Sequence, residues 1–266
     1  GDPDLQGKGT MNRGIYPILS ASVAQEHRIQ VLTNNMANLK TTGFKRVEPV
    51  FEAILGTRGL PVIAAGQAEA SFQPVVGQSS WAPERFFVSP RDLVTDFTSG
   101  TLRETKSQFD MAIKGPGFFE IKTAKGLVYT RNGIFHLDDQ RRLVTEQGDP
   151  VMGSKGVIKL APGEAHVDPD GKIQVGGAMA GQVKVVEFPN TKTLQQTGEG
   201  YFLGQNPKTV KEPSIAPGHL EESNVNAFGE MVKVIELMRT YESGQKAFQT
   251  FDRLNEVLIQ DVGRVA

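Results

Sequence analysis

Apolar residues recur at the helical period at both ends of the chain and at the strand period between them. From Asn12 to about Leu39, the apolar or small residues Ile15, Ile18, Ser22, Ile29, Leu32 and Met36 follow one another at steps of three, four or seven, which lays them along one side of a helix. Thr41-Thr42-Gly43 ends that pattern and puts a glycine where a left-handed helix stop is wanted. A second helix is predicted from about Asn226 to Val262, because Met231, Ile235, Met238, Tyr241, Phe248, Phe251, Leu258 and Val262 again fall at helical spacing. Asn226 suits its cap, and Glu230 stands in the first turn, where the helix dipole favours a carboxylate. At a rise of 1.5 Å per residue this helix is about 55 Å long, more than one compact domain usually needs.

The middle of the chain reads as strands. Phe118 to Ile121, Leu127 to Thr130, Val157 to Leu160 and Val183 to Phe188 are short β-branched and aromatic runs separated by turn residues. Asn132-Gly133, Pro162-Gly163 and Asp168-Pro169-Asp170-Gly171 are turn signals with a backbone cause: glycine tolerates positive φ, and asparagine or aspartate bonds its own main chain. Hairpins should therefore dominate. Gln67 to Phe87, rich in glutamine and serine with two prolines, reads as a mobile loop.

The predicted fold class is α+β: a β-rich central body whose long N- and C-terminal helices pair as a coiled-coil-like terminal domain. Residues 1–10 read as a vector-derived scar, 11–45 with 221–266 as the helical terminal domain, 46–110 as an extended connector and 111–220 as the β-rich domain. Two long helices with exposed apolar stripes exceed what a monomer normally tolerates, so the stripes require partners. The alternative is that both helices pack on the sheet of a monomeric α+β protein; periodicity alone does not separate the two.

Composition narrows the function classes. Twenty-nine basic against thirty acidic side chains give a formal charge of −1, which supplies no general attraction to nucleic acid or to an anionic membrane. The absence of cysteine removes disulfides, thiol catalysis and the common structural zinc sites. The richest short apolar run, Leu60 to Ala65, is interrupted by Pro61 and is far too short to span a membrane, and no cleaved secretory signal is visible.

The search for chemistry finds little. His27, His136, His166 and His219 are scattered and form no helical metal motif. Asp168 and Asp170 before Gly171 lack the further ligands of a calcium loop and read as a tight turn. Gly115-Pro116-Gly117 is not followed by the Lys-Ser/Thr pair of a phosphate loop. Asp138-Asp139 and Glu221-Glu222 read as solvated surface pairs. No catalytic residue, cofactor or metal is expected. Two other classes remain beside a self-assembling structural protein: a β-rich binding module with a concave pocket, and a hydrolase with an unrecognised carboxylate pair.

With those elements placed, Asn34-Asn35-Met36-Ala37-Asn38 followed by Thr41-Thr42-Gly43-Phe44-Lys45 resembles the signature of the flagellar rod and hook protein family, with methionine at Met36 where that motif carries leucine. Glu222-Ser223-Asn224-Val225-Asn226, opening a long helix with Met231, Arg239, Tyr241 and Glu242, is similar to the family's second signature. Asp110 to Ile113, Gly117 to Phe119, Tyr129 to Gly133 and Leu143 to Thr145 are similar to its shared core, so the resemblance covers nearly all of residues 11–266.

What the resemblance implies is a subunit of the bacterial flagellar rod. In such a subunit paired terminal helices build the inner tube, the β-rich body lies outside, and the assembly transmits torque from motor to hook. It also implies export through the flagellar type III apparatus without a cleaved signal, and residence in the part of the rod that spans the periplasm. The partners are copies of the chain itself and other rod subunits, with the distal rod adjacent; neither nucleic acid binding nor direct membrane insertion is expected. The short body and the ending Asp261-Val262-Gly263-Arg264 point to a proximal position, a distal position being the alternative. Expected assembly contacts are Ile29, Leu32, Asn34, Asn35, Met36 and Asn38 on the first helix side, with Asn224, Asn226, Met231, Ile235, Met238, Tyr241, Phe248, Phe251 and Leu258 on the second. The amides of Asn34, Asn35 and Asn38 are suited to tying helix to helix while fixing register. Gly43, Gly117 and Gly133 are assigned to backbone geometry.

Overall fold

Successive side chains of a strand point to opposite faces, so a strand carrying two adjacent buried apolar residues must be covered on both sides. Among the described strands that do so are four with Phe118-Phe119, Val128-Tyr129, Val185-Val186 and Tyr201-Phe202. The computed structural model describes residues 15–56 and 85–265, and in it these four strands lie side by side in one sheet. The sheet has six antiparallel strands in the order Gln195–Thr197, Tyr201–Leu203, Gly126–Thr130, Phe118–Thr123, Val185–Glu187, Lys208–Thr209. Phe119, Val128, Val185 and Tyr201 enter the larger core with Met111, Ile121, Phe135, Leu143, Ile173 and Ile215. Phe118, Tyr129, Val186 and Phe202 enter a second core with Phe188 and Leu194. There the rings meet edge to face: Phe118 and Phe202 lie 5.7 Å apart, and Phe97 stands 5.5 Å from the first and 5.3 Å from the second, the arrangement that aromatic quadrupoles favour.

Small antiparallel pieces complete the body. Ala165–Val167, Lys172–Val175 and Ala178–Gln182 form a three-stranded meander. Its first turn is the one expected at Asp168-Pro169-Asp170-Gly171: the Gly171 N–H donates to the Asp168 carbonyl at 2.9 Å, with Gly171 at φ +73°. Asn132-Gly133 behaves differently from the hairpin expected there. Its chain passes tightly against Met111, whose N–H donates to the Gly133 carbonyl at 3.0 Å, and a Cβ on Gly133 would fall on the Met111 carbonyl oxygen. Two short ribbons then run Leu102–Glu104 beside His219–Glu221 and Met111–Ile113 beside Ile215–Pro217. They deliver the C-terminal motif to the segment around residue 100.

The helices are α1, Ile15–Ala37, and α2, Ala227–Val265. Among the described residues no helix is long and apolar enough to cross a membrane. Val47–Gly56 and Arg85–Thr95 form a separate two-stranded ribbon. The chain divides into two compact units, one of Val31–Glu48 with Val94–Val232, the other of Gly1–Gln30, Pro49–Leu93 and Lys233–Ala266. Residues 1–10 and most of the stretch from Gln67 to Phe87, read above as scar and loop, lie outside the described residues.

The expected fold class needs correction at the helices. The β-rich body is present, but the two helices do not form a long coiled-coil-like pair among the described residues. The stripe meant to form its seam is turned to solvent: Met231, Ile235 and Met238 are about half exposed at 49%, 53% and 53%, and Tyr241 is exposed as well. Leu237, which is buried, lies about 100° or more around α2 from Met231, Ile235 and Met238. On α1 the described buried apolar residues are Ala24 and Val31, while Val23 is exposed, too sparse a set for an uninterrupted heptad seam.

Candidate assembly site

The two motif segments, residues 34–47 and 221–230, are joined to each other inside one unit of the chain. α1 ends at Ala37, and Asn38 closes it: its side-chain Nδ2 donates to the Asn34 carbonyl at 2.9 Å while its Oδ1 accepts from the Thr41 hydroxyl at 3.0 Å. Gly43 lies in the turn that follows rather than at the helix stop itself. At φ +70°, its N–H donates to the Glu221 carbonyl at 2.7 Å, and a Cβ there would strike the backbone of Arg131 and Asn132. Both facts demand glycine.

Asn35 is buried and acts as a strand neighbour for Val47. Its Oδ1 accepts from the Val47 N–H at 3.0 Å, and its Nδ2 donates to the Val47 carbonyl at 2.9 Å and to Glu230 at 3.4 Å. Asn224 does similar work: its Oδ1 accepts from the Arg46 N–H at 2.7 Å, and its Nδ2 donates to the Asp96 carbonyl at 2.8 Å and to Thr98 at 3.1 Å. Asn226 caps α2, accepting from the Gly229 N–H at 3.0 Å. The amides of Asn35 and Asn224 are thus engaged within the chain, whereas Asn34 is exposed and Ile29, Leu32, Met36 and Asn38 are half-buried.

The centre of this junction is an ionic cluster that the sequence reading missed. Glu221, taken there for a solvated residue beside Glu222, is 1% exposed. The Lys45 ammonium donates to Glu221 Oε1 at 2.6 Å and to the Thr98 carbonyl at 2.7 Å. Arg131 Nη1 donates to Glu221 Oε2 at 3.2 Å, and Nη2 donates to the Gly115 carbonyl at 2.8 Å. The Gly100 N–H adds a third donor to the carboxylate at 2.9 Å, and the guanidinium lies 5.3 Å from the centre of the Phe118 ring. Burial pushes both Lys45 and Arg131 below their ordinary pKa, with the Glu221 carboxylate pulling each the other way. Only Glu222 behaves as expected, forming an exposed pair with Arg103. The one signal available in the sequence was that Lys45 and Arg131 both stand inside motif strings.

Asp96 buttresses the rim of the cluster. Partial burial opposes its charge, but the Thr98 N–H and hydroxyl together with Arg46 outweigh that and hold its carboxyl below the usual carboxylate value of 3.8. Because the folded pKa is depressed, this contribution is complete above pH 3.8 and is lost as pH falls through the folded value. An Asp96→Asn variant should therefore unfold more easily than wild type by about 1 kcal/mol at neutral pH. The gap should close in acid; urea midpoints at both pH values check this.

The apolar residues of α2 supply the exposed part of the site. Phe228, Met231, Val232, Ile235 and Met238 fall on one side of the helix, all exposed, with Phe228 the most so at 78%. The side chains of Phe248, Phe251 and Leu258 lie outside the described residues. Gly117, at φ +127°, holds the backbone next to Val185. Among the described residues no three histidine, aspartate or glutamate side chains are grouped to hold a metal.

Residues 112–183 match the family described as the flagellar hook protein FlgE/F/G D1 domain, and residues 216–261 match the flagellar basal body rod FlgEFG protein C-terminal family. The chain is 29% identical to the flagellar basal-body rod protein FlgF of Caulobacter vibrioides over 96% of its own length and 100% of that protein. It is 31% identical to FlgF of Rhizobium meliloti, over 88% of this chain and 90% of the relative. It is 28% identical to the flagellar basal-body rod protein FlgG of Buchnera aphidicola subsp. Schizaphis graminum, over 89% and 95%. The alignments to these relatives take in 88% to 96% of the chain, and on that ground the chain belongs to the flagellar rod and hook protein family and is a structural subunit of the basal-body rod.

Proposed function

We propose that the chain is the proximal, FlgF-type subunit of the rod, joining its neighbours through the exposed apolar face of α2. The observation that carries the assembly reading is the row Phe228, Met231, Ile235 and Met238, left exposed on a helix whose buried side chains are elsewhere. A solvated apolar row of that length gains most by docking against a neighbouring subunit. The partners are copies of the chain, other rod subunits and the adjacent distal rod. The chain reaches them through the flagellar export apparatus, in the periplasmic stretch of the rod.

The role is structural rather than catalytic. Glu221, the buried carboxylate at the centre of the junction, has both oxygens engaged by cations and a backbone N–H, which leaves no free oxygen to take up a substrate proton. The proximal reading is supported by identities of 29% to 31% to three FlgF proteins, against 27% to 29% for the FlgG relatives. Expression in strains lacking either their own FlgF or their own FlgG tests it. Swimming restored in the first strain alone is the expected result; restoration in the second alone assigns the chain to the distal rod.

A further inference from the structure

The buried ionic cluster draws on three distant parts of the chain. Glu221 lies 176 residues after Lys45 and 90 after Arg131. Lys45 and Arg131 are held against opposite oxygens of one carboxylate, with side chains 0% and 3% exposed. Among the described residues, Glu221 carries the carboxylate in contact with either cation. Without it the junction would bury two neighbouring positive charges, each stripped of water. The same short segment also supplies backbone: the Glu221 carbonyl takes the Gly43 N–H, the Glu222 N–H donates to Thr101, and the Asn224 N–H donates to Phe44. Residues 43–47 and 98–101 touch directly through the Lys45–Thr98 bond, and the Asp96 N–H donates to the Arg46 carbonyl at 2.8 Å, but the Gly43 and Gly100 N–H groups and the Thr101 carbonyl take their partners from residues 221 and 222.

We propose that Glu221 is a folding latch: the junction of residues 43–47, 98–101 and Arg131 closes last, when the C-terminal motif docks. The hairpin Phe118–Thr123 and Gly126–Thr130 has no such dependence, since its pairing is local and neither core contains Lys45 or Glu221, although Ile215 completes the larger core. A chain emerging N-terminus first consequently keeps its first motif unlocked until residue 221 is free. Nearly the whole chain is then delivered before that motif is fixed. The inference does not rest on the proximal assignment.

Pulsed hydrogen exchange during refolding of the full chain tests it. In wild type, amides of the hairpin Phe118–Thr123 and Gly126–Thr130 should gain protection in an earlier phase than those of Gly43 and Gly100. Glu221→Gln should leave the hairpin phase unaltered and cut protection of Gly43 and Gly100 by about a hundredfold. Glu212→Gln, the same charge change at an exposed site, should alter neither. Protection of Gly43 and Gly100 with or before the hairpin overturns the latch, as does a Glu221→Gln variant whose hairpin phase slows equally. Should Glu221→Gln not fold, Lys45→Met, which leaves the Arg131–Glu221 pair in place, should leave the hairpin phase unaltered and cut protection of Gly43 and Gly100 by a smaller factor, about tenfold; equal slowing of the hairpin phase, or no loss at Gly43 and Gly100, overturns the latch.

Discussion

Replacing Glu221 by leucine should destabilise the body by about 3–5 kcal/mol, while replacing Lys45, Arg131 and Glu221 together by methionine, methionine and leucine should recover most of that loss. The asymmetry follows from what each change leaves behind. The single variant strands an ammonium and a guanidinium in a site with almost no water contact, where Lys45 retains the Thr98 carbonyl and Arg131 the Gly115 carbonyl, but neither retains an anion. The triple variant leaves no charge, fills similar volume with apolar atoms and gives the aliphatic groups Phe118 to pack against. Lys45→Met alone should cost far less than Glu221→Leu, because the Arg131–Glu221 pair survives it. Urea unfolding with an unchanged m-value measures each term. A loss below about 1 kcal/mol for Glu221→Leu would show that the cluster contributes no more than a surface ion pair.

Gly43→Val should cost a further large amount, about 3–5 kcal/mol, by two independent routes. A β-branched residue at φ +70° is strained by itself. Its Cβ also has no room, since the obstructing atoms are the main chain of Arg131 and Asn132 rather than a side chain that can rotate away. Moving the turn aside to relieve the clash pulls the Gly43 N–H from the Glu221 carbonyl and loosens the latch with it. Thermal unfolding and incorporation into basal bodies are the readouts; a variant as stable as wild type and normally assembled contradicts the assignment.

Gly43 also shows what local sequence can and cannot give. Its positive φ was predictable from a glycine after a helical pattern and two threonines, as were the cap at Asn226 and the turn at Asp168 to Gly171, because each depends on residues within a few positions. Gly133 needed the fold: its hairpin signal is genuine, yet the determining fact is the crossing of Met111, a non-local contact. Asn35 likewise looked like an amide available to another helix, and its engagement by Val47 follows from how the chain returns after Gly43. Glu221 was the least legible, since a pair of adjacent glutamates has no local mark of burial and its partners come from far along the chain. The helix stripes were visible in sequence, but periodicity reports only that one side is apolar. It does not say whether that side meets its own chain or solvent, and the pairing expected between the two helices failed at that point.

The most direct measurement is the recovery of an Ile235→Lys, Met238→Lys variant in isolated basal bodies, beside circular dichroism of the purified chain. Both residues are exposed, so the charges should leave the fold of the isolated chain unaltered. Their burial in a subunit contact should be prohibitive. The predicted result is an unchanged spectrum with the variant missing from basal bodies and motility lost. Incorporation at the wild-type level would contradict the account, because the exposed face of α2 would then not be the surface through which the subunit joins the rod.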